Sequence, residues 1–184
     1  GCGPSFLGRG HFLLPPFRSS PPSPSPIVSS PIFASMYRGL TVQHGATATA
    51  TKCEVKENMG NGVLAHEEGT QATLEYCQMT SNGIIGLMVQ ERATATATKC
   101  EMKENMGNGV LASDEGTHAT LEDCQMTSNG EDGLMVQEGA TVTVTKCEMK
   151  GNTESGVFAA GQGARATPEG CQMTSNGKDS LFVQ

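Results

Sequence analysis

The sequence has few aromatic residues, and none of its 184 residues is Trp. A compact globular core normally takes much of its volume from large rings, so this scarcity disfavours such a core. No apolar run reaches the roughly 18 residues that would suggest a membrane-spanning helix. The net charge of −7 leaves no basic stripe to neutralise phosphates. We therefore expect neither a membrane nor a nucleic acid as a partner.

The first 35 residues differ in composition from the rest of the chain. Between positions 19 and 26, Ser and Pro account for every residue, and such a segment cannot build a packed core. The apolar patch that ends at Phe17 lacks the basic start and the long apolar run of a secretory signal. We predict that residues 1–35 are a disordered Pro/Ser-rich tail or linker and that residues 36–184 form the folded domain.

The rest of the sequence is an internal repeat of 23 or 24 residues. One Cys marks each repeat, one Asn follows it by five residues, and a Gly follows that Asn by four in every copy but the last. The sequence stops inside a repeat, so we predict that the domain is truncated at its C-terminus. The cysteine column comprises Cys53, Cys77, Cys100, Cys124, Cys147 and Cys171. The asparagine column comprises Asn58, Asn82, Asn105, Asn129, Asn152 and Asn176.

Each repeat contains three short segments in which inward and outward residues alternate. In the first full copy these segments lie at 47–51, 53–56 and 63–66. Alternation with period two indicates strands with one buried face, and no segment has helical periodicity. The regular Leu spacing of leucine-rich repeats is also absent. The sequence therefore predicts an all-β parallel β-helix of about six coils, with three short strands per coil.

The Asn and Gly columns are expected at the corners between strands. Asn tolerates left-handed backbone angles, and stacked Asn amides can form hydrogen bonds from coil to coil. The Gly that follows is expected to supply a positive φ angle. The cysteines are expected to be buried thiols that act as small hydrophobic residues. All three columns are interpreted as structural ladders.

The repeat resembles a known family. The pattern C-x-M-x-x-N-x-x-x-G-[VL]-x-[VA], which runs from Cys100 through Asn105 to Ala112, is similar to the right-handed β-helix repeat. That repeat occurs in pectin-lyase-like enzymes and in the substrate-binding arrays of F-box β-helix proteins. The resemblance covers roughly residues 37–184. It implies the fold, and it leaves the function open because unrelated activities share this scaffold.

The sequence shows no catalytic constellation. Asp132 and Asp179 hold equivalent positions two coils apart, with Ser155 between them. The histidines fall in unrelated columns, and cysteines in a straight line lack the convergent C-x₂-C pairs of metal sites. We therefore predict a non-enzymatic protein with no metal and no cofactor. Reduced thiols suggest an intracellular, cytoplasmic setting, while a secreted one stays open because the N-terminus looks incomplete.

One outward column of the predicted rod is apolar, and it is the candidate partner-binding surface. A continuous apolar stripe usually marks a binding surface, unless the strand register is shifted by one residue. We predict that it binds another protein, and the resemblance suggests substrate recognition within a ubiquitin-ligase receptor. The alternatives are carbohydrate binding or polysaccharide cleavage on the pectin-lyase-like scaffold and, as a minor one, ice binding by an outward Thr column. The apolar column comprises Leu64, Met88, Leu111, Met135, Phe158 and Phe182. The Thr column comprises Thr49, Thr73, Thr96, Thr120, Thr143 and Thr167.

Overall fold

The computed structural model describes residues 27–28 and 39–184. These residues form twenty short strands and, within the described part, no helix. The strands are β1 Ile27–Val28, β2 Leu40–Val42, β3 Thr47–Thr51, β4 Glu54–Lys56, β5 Val63–Ala65, β6 Gln71–Glu75, β7 Gln78–Thr80, β8 Leu87–Val89, β9 Thr94–Thr98, β10 Glu101–Lys103, β11 Val110–Ala112, β12 His118–Glu122, β13 Gln125–Thr127, β14 Leu134–Gln137, β15 Thr141–Thr145, β16 Glu148–Lys150, β17 Val157–Ala160, β18 Arg165–Glu169, β19 Gln172–Thr174 and β20 Leu181–Val183.

The strands form three parallel sheets, which we call A, B and C. The strand order is β1-β3-β6-β9-β12-β15-β18 in sheet A, β4-β7-β10-β13-β16-β19 in sheet B and β2-β5-β8-β11-β14-β17-β20 in sheet C. Along the chain, each coil contributes one strand to A, then to B, then to C. Coil 1 is β3–β5 and coil 6 is β18–β20. The predicted all-β parallel β-helix of six coils with three strands per coil is confirmed.

The core lies between the three sheets, and among residues 39–184 it contains no buried aromatic ring. In β11, Val110 and Ala112 are buried while Leu111 between them is half-buried. The same alternation in the neighbouring strands stacks aliphatic and Met side chains from coil to coil. Burying one such side chain contributes about 1.5–3 kcal/mol. The largest fully buried residues include Leu74, Met79, Leu87, Met102, Leu121, Met126, Leu134 and Met149.

The corners are turned one residue earlier than the sequence suggested. Within residues 39–184, no member of the Asn column has a positive φ angle, although Asn tolerates one. The physical reason is that the Asn side chain must point inward, which leaves the exposed residue before it to take the left-handed angle. That angle costs a non-Gly residue about 1–2 kcal/mol. The residues with positive φ before the Asn column are Glu57, Ser81, Glu104, Ser128, Gly151 and Ser175.

The Gly column is required by a close approach between coils, not by a positive φ angle as predicted. A Cβ atom on Gly109 would lie 2.7 Å from the carbonyl oxygen of Gly133 and 2.8 Å from Nδ2 of Asn129. Both distances are shorter than a carbon atom can occupy, so a side chain is excluded at this position. Other members of the column meet the same backbone oxygen of the next coil: Gly62, Gly86, Gly133 and Gly156.

The structure describes little of the predicted N-terminal tail. Strand β1 pairs with β3, where Ile27 faces Thr49 and Val28 faces Ala50. The remainder of residues 1–35 lies outside the described residues. The tail and the domain boundary at residue 36 therefore stay predictions.

Candidate partner-binding surface

The apolar column lies on the outer face of sheet C, where each member is the second residue of its strand. Each residue pairs directly with the next in the parallel register. Parallel strands lie about 4.8 Å apart, so the column is continuous. The half-buried side chains of the column, which we call the apolar stripe, are Leu64, Met88, Leu111, Met135, Phe158 and Phe182. The strand register therefore points the stripe outward; its binding role stays a prediction.

Contacts with neighbouring residues orient the side chains of the stripe. The rings of Phe158 and Phe182 stack with their centroids 5.0 Å apart and their planes 6° from parallel. Two Met residues of the stripe contact Asn side chains. Nδ2 of Asn61 lies 3.3 Å from the sulfur of Met88, and Nδ2 of Asn108 lies 3.7 Å from the sulfur of Met135. A thioether is a weak acceptor, so these contacts orient the Met side chains with little energy.

A second set of exposed apolar residues lies in coils 1–3, and sequence reasoning missed it. Met59, Ile84 and Met106 are 65%, 50% and 75% exposed on the loops that lead from sheet B to sheet C. We call these three residues the apolar corner. Gly83 stacks on the backbone of Met59, and Gly130 stacks on that of Met106. The sequence signal was the repeated segment E-N-M-G-N-G, which places Met in a turn where no core residue is needed.

In coils 4–6 the same edge of the stripe carries carboxylates instead. A groove of about 490 Å³ lies between the stripe and the loops from sheet B to sheet C. We call it the acidic groove. One wall is formed by Met135, Phe158 and Phe182 of the stripe. The remaining lining residues are Glu131, Asp132, Glu154, Ser155, Lys178 and Asp179.

Asp132 is the buried carboxylate of this groove, with 7% of its surface exposed. Its Oδ1 accepts a hydrogen bond of 2.8 Å from the backbone N–H of Ser155, and its own N–H donates to Oδ1 of Asn108 at 2.9 Å. Burial raises the pKa of Asp132, and the charges of Glu154 and Glu131 raise it further. The sequence predicted a corner position for Asp132. The hydrogen bonds to Ser155 and Asn108 keep the residue packed between the neighbouring coils.

We predict that Asp132→Asn stabilises the rod at neutral pH. A carboxyl whose pKa is raised in the folded state contributes stability below its unfolded pKa and loses it as the pH rises through the folded pKa. Asn keeps the acceptor for Ser155 and removes the charge, as Asn108 does one coil earlier. Urea unfolding should therefore show a higher midpoint than wild type at pH 7 and an equal one at pH 3.

The matched control is Asp123→Asn, which removes an exposed charge. It should leave the midpoint unchanged at both values of pH. An equal gain from Asp132→Asn at pH 3 and pH 7 would show that ionisation of Asp132 is not the cause.

The Asn column forms a buried hydrogen-bonded ladder at the end of the sheet B strands. The amide Nδ2 of Asn105 donates to Oδ1 of Asn129 at 3.0 Å and to the carbonyl of Met79 at 3.0 Å. The backbone N–H of Asn105 donates to the same Oδ1 at 3.1 Å. Each amide from Asn82 to Asn152 thus joins three successive coils. The ladder runs through Asn58, Asn82, Asn105, Asn129, Asn152 and Asn176.

The Cys column lies inside the rod at the start of the sheet B strands. The Cys124 thiol donates to the carbonyls of Ala97 and Glu122, each at 3.3 Å. The pKa of Cys124 is raised to about 12, because its hydrogen bond with Cys100 and its burial outweigh the opposing hydrogen bond with Cys147. Such a thiol stays protonated at neutral pH and is a poor nucleophile. The column comprises Cys53, Cys77, Cys100, Cys124 and Cys147, which are buried, and Cys171, which is half-buried.

Comparison with known proteins identifies the family. A family model described as a right-handed beta helix region matches residues 38–184. The chain belongs to this right-handed β-helix family. No curated protein matched the sequence in a second comparison. The family accounts for the solenoid and for a pectin-lyase-like scaffold, and it leaves open which face of this β-helix is used.

The Thr column lies on the outer face of sheet A of the β-helix. Its members pair in register, as in Thr73 with Thr96. In the adjacent column, however, Thr alternates with Gln71, His118 and Arg165. These longer side chains interrupt the flat Thr lattice that ice binding would require.

Each histidine of the β-helix contacts a nearby oxygen atom. Nδ1 of His44 lies 2.6 Å from Oε2 of Glu67, and Nε2 of His66 lies 2.9 Å from Oε1 of Gln43. His118 contacts a backbone carbonyl of its own corner. Among the described residues, no three His, Cys, Asp or Glu side chains converge on a point that would hold a metal ion. That part of the chain also contains no helix with the length and apolarity to cross a membrane.

Proposed function

We propose that this β-helix is a non-catalytic module that binds another protein through the apolar stripe. The observation that carries the proposal is the unbroken column from Leu64 to Phe182, which stays half-exposed on the outer face of a regular sheet. Contiguous apolar surface of this kind usually marks a protein interaction site. The binding energy would come from removing the stripe from water on association.

The surroundings of the stripe support a protein partner. The apolar corner adds three exposed apolar side chains on the loops that lead into the sheet C strands of coils 1–3. Four Met residues belong to the stripe and the apolar corner: Met59, Met88, Met106 and Met135. Met is flexible and polarizable, which suits a surface that adapts to the shape of a partner. Gln90 and Gln137, half-exposed at the end of the sheet C strands, supply polar groups at the rim.

The setting that we propose is intracellular, with the module acting in substrate recognition within a larger adaptor such as a ubiquitin-ligase receptor. Cysteines such as Cys100 and Cys124 stack in one column as thiols and form no disulfide, which supports a reducing compartment. The adaptor role rests on family resemblance alone, because one scaffold serves several functions.

The double variant Leu111→Ser/Met135→Ser tests the stripe. Both side chains are half-exposed, so polar replacements remove apolar binding surface at a cost of about 1–3 kcal/mol to the fold. We expect proteins that crosslink to the wild-type chain in an extract of its source cells to be lost with the variant. Circular dichroism should show an intact β-sheet spectrum and a melting temperature no more than about 10 °C below that of wild type.

The matched control is Thr120→Ala/Thr143→Ala, which changes two exposed residues of sheet A. It should retain every crosslinked protein. If the stripe variant captures the same set of proteins as the wild type, the stripe is not the binding surface.

Carbohydrate binding is the second candidate, and the acidic groove is the observation that favours it. Stacked rings of Phe158 and Phe182 beside the carboxylates of Asp132 and Asp179 resemble an aromatic platform with polar groups. A ligand that binds only the folded state raises its thermal stability. Under this alternative, neutral or uronate oligosaccharides would raise the melting temperature, whereas the protein-binding proposal expects no shift.

A further inference from the structure

The surface beside the apolar stripe changes character along the rod. In coils 1–3 the loops between sheets B and C present Met59, Ile84 and Met106. In coils 4–6 the equivalent loops present Glu131 and Asp132, then Glu154 and Ser155, then Lys178 and Asp179. The stripe itself stays apolar throughout. A segment lying along the stripe would therefore meet apolar groups at one end and carboxylates at the other.

The acidic groove carries an uncompensated negative charge. Four carboxylates line it and one Lys stands against them, which leaves three formal negative charges. The Lys178 ammonium already pairs with Glu154. Glu131 and Glu154 are close enough to Asp132 to disfavour its ionisation. Such a concave surface with apolar walls concentrates the field and attracts a cation.

This inference rests on the stripe as a protein-binding surface. We propose that the occupant is a peptide segment in which an arginine lies on one side of a run of apolar residues. The apolar residues lie on the stripe and the apolar corner, and the guanidinium enters the acidic groove. Arg fits the groove better than Lys because its planar group pairs with carboxylates and also stacks on aromatic rings such as Phe158 and Phe182. The groove thereby fixes the direction of the segment along the rod.

Anionic partners are disfavoured by the same charges. A uronate polymer or an anionic lipid surface would bring further negative charge to Glu131, Glu154 and Asp179, which already repel one another. The chain as a whole carries a net charge of −7 and opposes such partners at longer range. The apolar wall also gives a neutral sugar few hydrogen-bonding groups on that side.

The test is selection of 12-residue peptides from a random display library against the full-length chain. Selected peptides should be enriched in a basic residue, with Arg above Lys, on one side of two or more apolar residues. The best peptide is then resynthesised, together with a version in which Arg is replaced by Glu, and bound to three variants at two salt concentrations. The variants are Glu131→Gln/Asp179→Asn in the groove, Leu111→Ser in the stripe, and Glu75→Gln/Glu122→Gln as a control that removes two charges from sheet A.

We expect the groove variant to weaken binding by about 10-fold or more, the stripe variant to weaken it as well, and the control to leave it unchanged. Added salt should weaken the wild-type complex more than the groove-variant complex. Peptides that depend on Leu111 and show neither basic enrichment nor sensitivity to Glu131→Gln/Asp179→Asn would overturn the arginine proposal and leave the stripe proposal standing. Failure to select any peptide, or equal binding by the stripe variant, would overturn both.

Discussion

Asn129→Ala will lower the free energy of unfolding by about 3–5 kcal/mol. The Asn129 amide accepts from the N–H and the Nδ2 of Asn105, at 3.1 and 3.0 Å, and donates to the Met102 carbonyl and to Oδ1 of Asn152, at 3.1 and 3.0 Å. Ala removes all of these bonds. A buried polar group that loses its partner costs about 1–3 kcal/mol, and several groups lose theirs at once.

Urea unfolding followed by circular dichroism measures this loss. Because Asn129 joins coils 3, 4 and 5, its removal weakens two coil–coil interfaces in the middle of the array. Gln125→Ala is the matched control, since it removes an exposed amide from the same coil. That control should change the free energy of unfolding by less than about 0.5 kcal/mol. A loss below about 1 kcal/mol for Asn129→Ala would mean that water replaces the amide and that the ladder is not a main source of stability.

Gly109→Ala will destabilise the rod by about 2–3 kcal/mol, or prevent it from folding. The added Cβ would lie 2.7 Å from the Gly133 carbonyl oxygen, 2.8 Å from Nδ2 of Asn129 and 3.2 Å from the Met126 Cβ. Two of these neighbours belong to a fixed backbone or to the buried ladder, so neither can move away without breaking hydrogen bonds. The methyl group therefore forces coils 3 and 4 apart at this corner.

The measurement is again the urea midpoint, accompanied by the yield of folded protein. Ser113→Ala, a half-exposed position in coil 3 that already carries a Cβ, serves as the control and should behave like wild type. If Gly109→Ala has the stability of wild type, the coils can separate locally and the Gly column is not required for packing. A variant that does not fold agrees with the prediction only if Ser113→Ala folds normally.

The register of the stripe was predictable from the sequence because strand periodicity is two. Val110 and Ala112 on either side of Leu111 are the residues that a buried face needs, and the structure buries both of them. Once Val110 points inward, Leu111 must point outward. A shift of this strand by one residue would have exposed Val110 and Ala112 and turned Leu111 inward.

The apolar corner and the buried state of Asp132 were not predictable in this way. Met106 and Asp132 both lie in loops, where no periodicity relates sequence to side-chain direction. Gly130 of the next coil packs against the backbone of Met106, and the buried carboxylate of Asp132 accepts from an N–H of Ser155. Both partners are 23 or 24 residues away, so the relation exists only after the coils have stacked.

The corner residues show where local preference does not decide the backbone conformation. Asn tolerates the left-handed angle, but Glu104 takes that angle in place of Asn105, with a φ of 56°. Local preference favours Asn at such an angle because its short polar side chain can bond its own backbone. Here the amide of Asn105 bonds three successive coils instead, and those bonds outweigh the backbone cost at Glu104.

The sequence by itself determined the solenoid, its number of coils and the faces of its strands. These follow from a repeat length and from an alternation of side chains, both of which are local properties of the chain. Only the tertiary structure decided which corner residues turn the chain, why the Gly column cannot carry a side chain, and how carboxylates and apolar residues share the edge of the stripe. Each of these depends on distances of a few ångströms between coils, and those distances are set by stacking rather than by any one repeat.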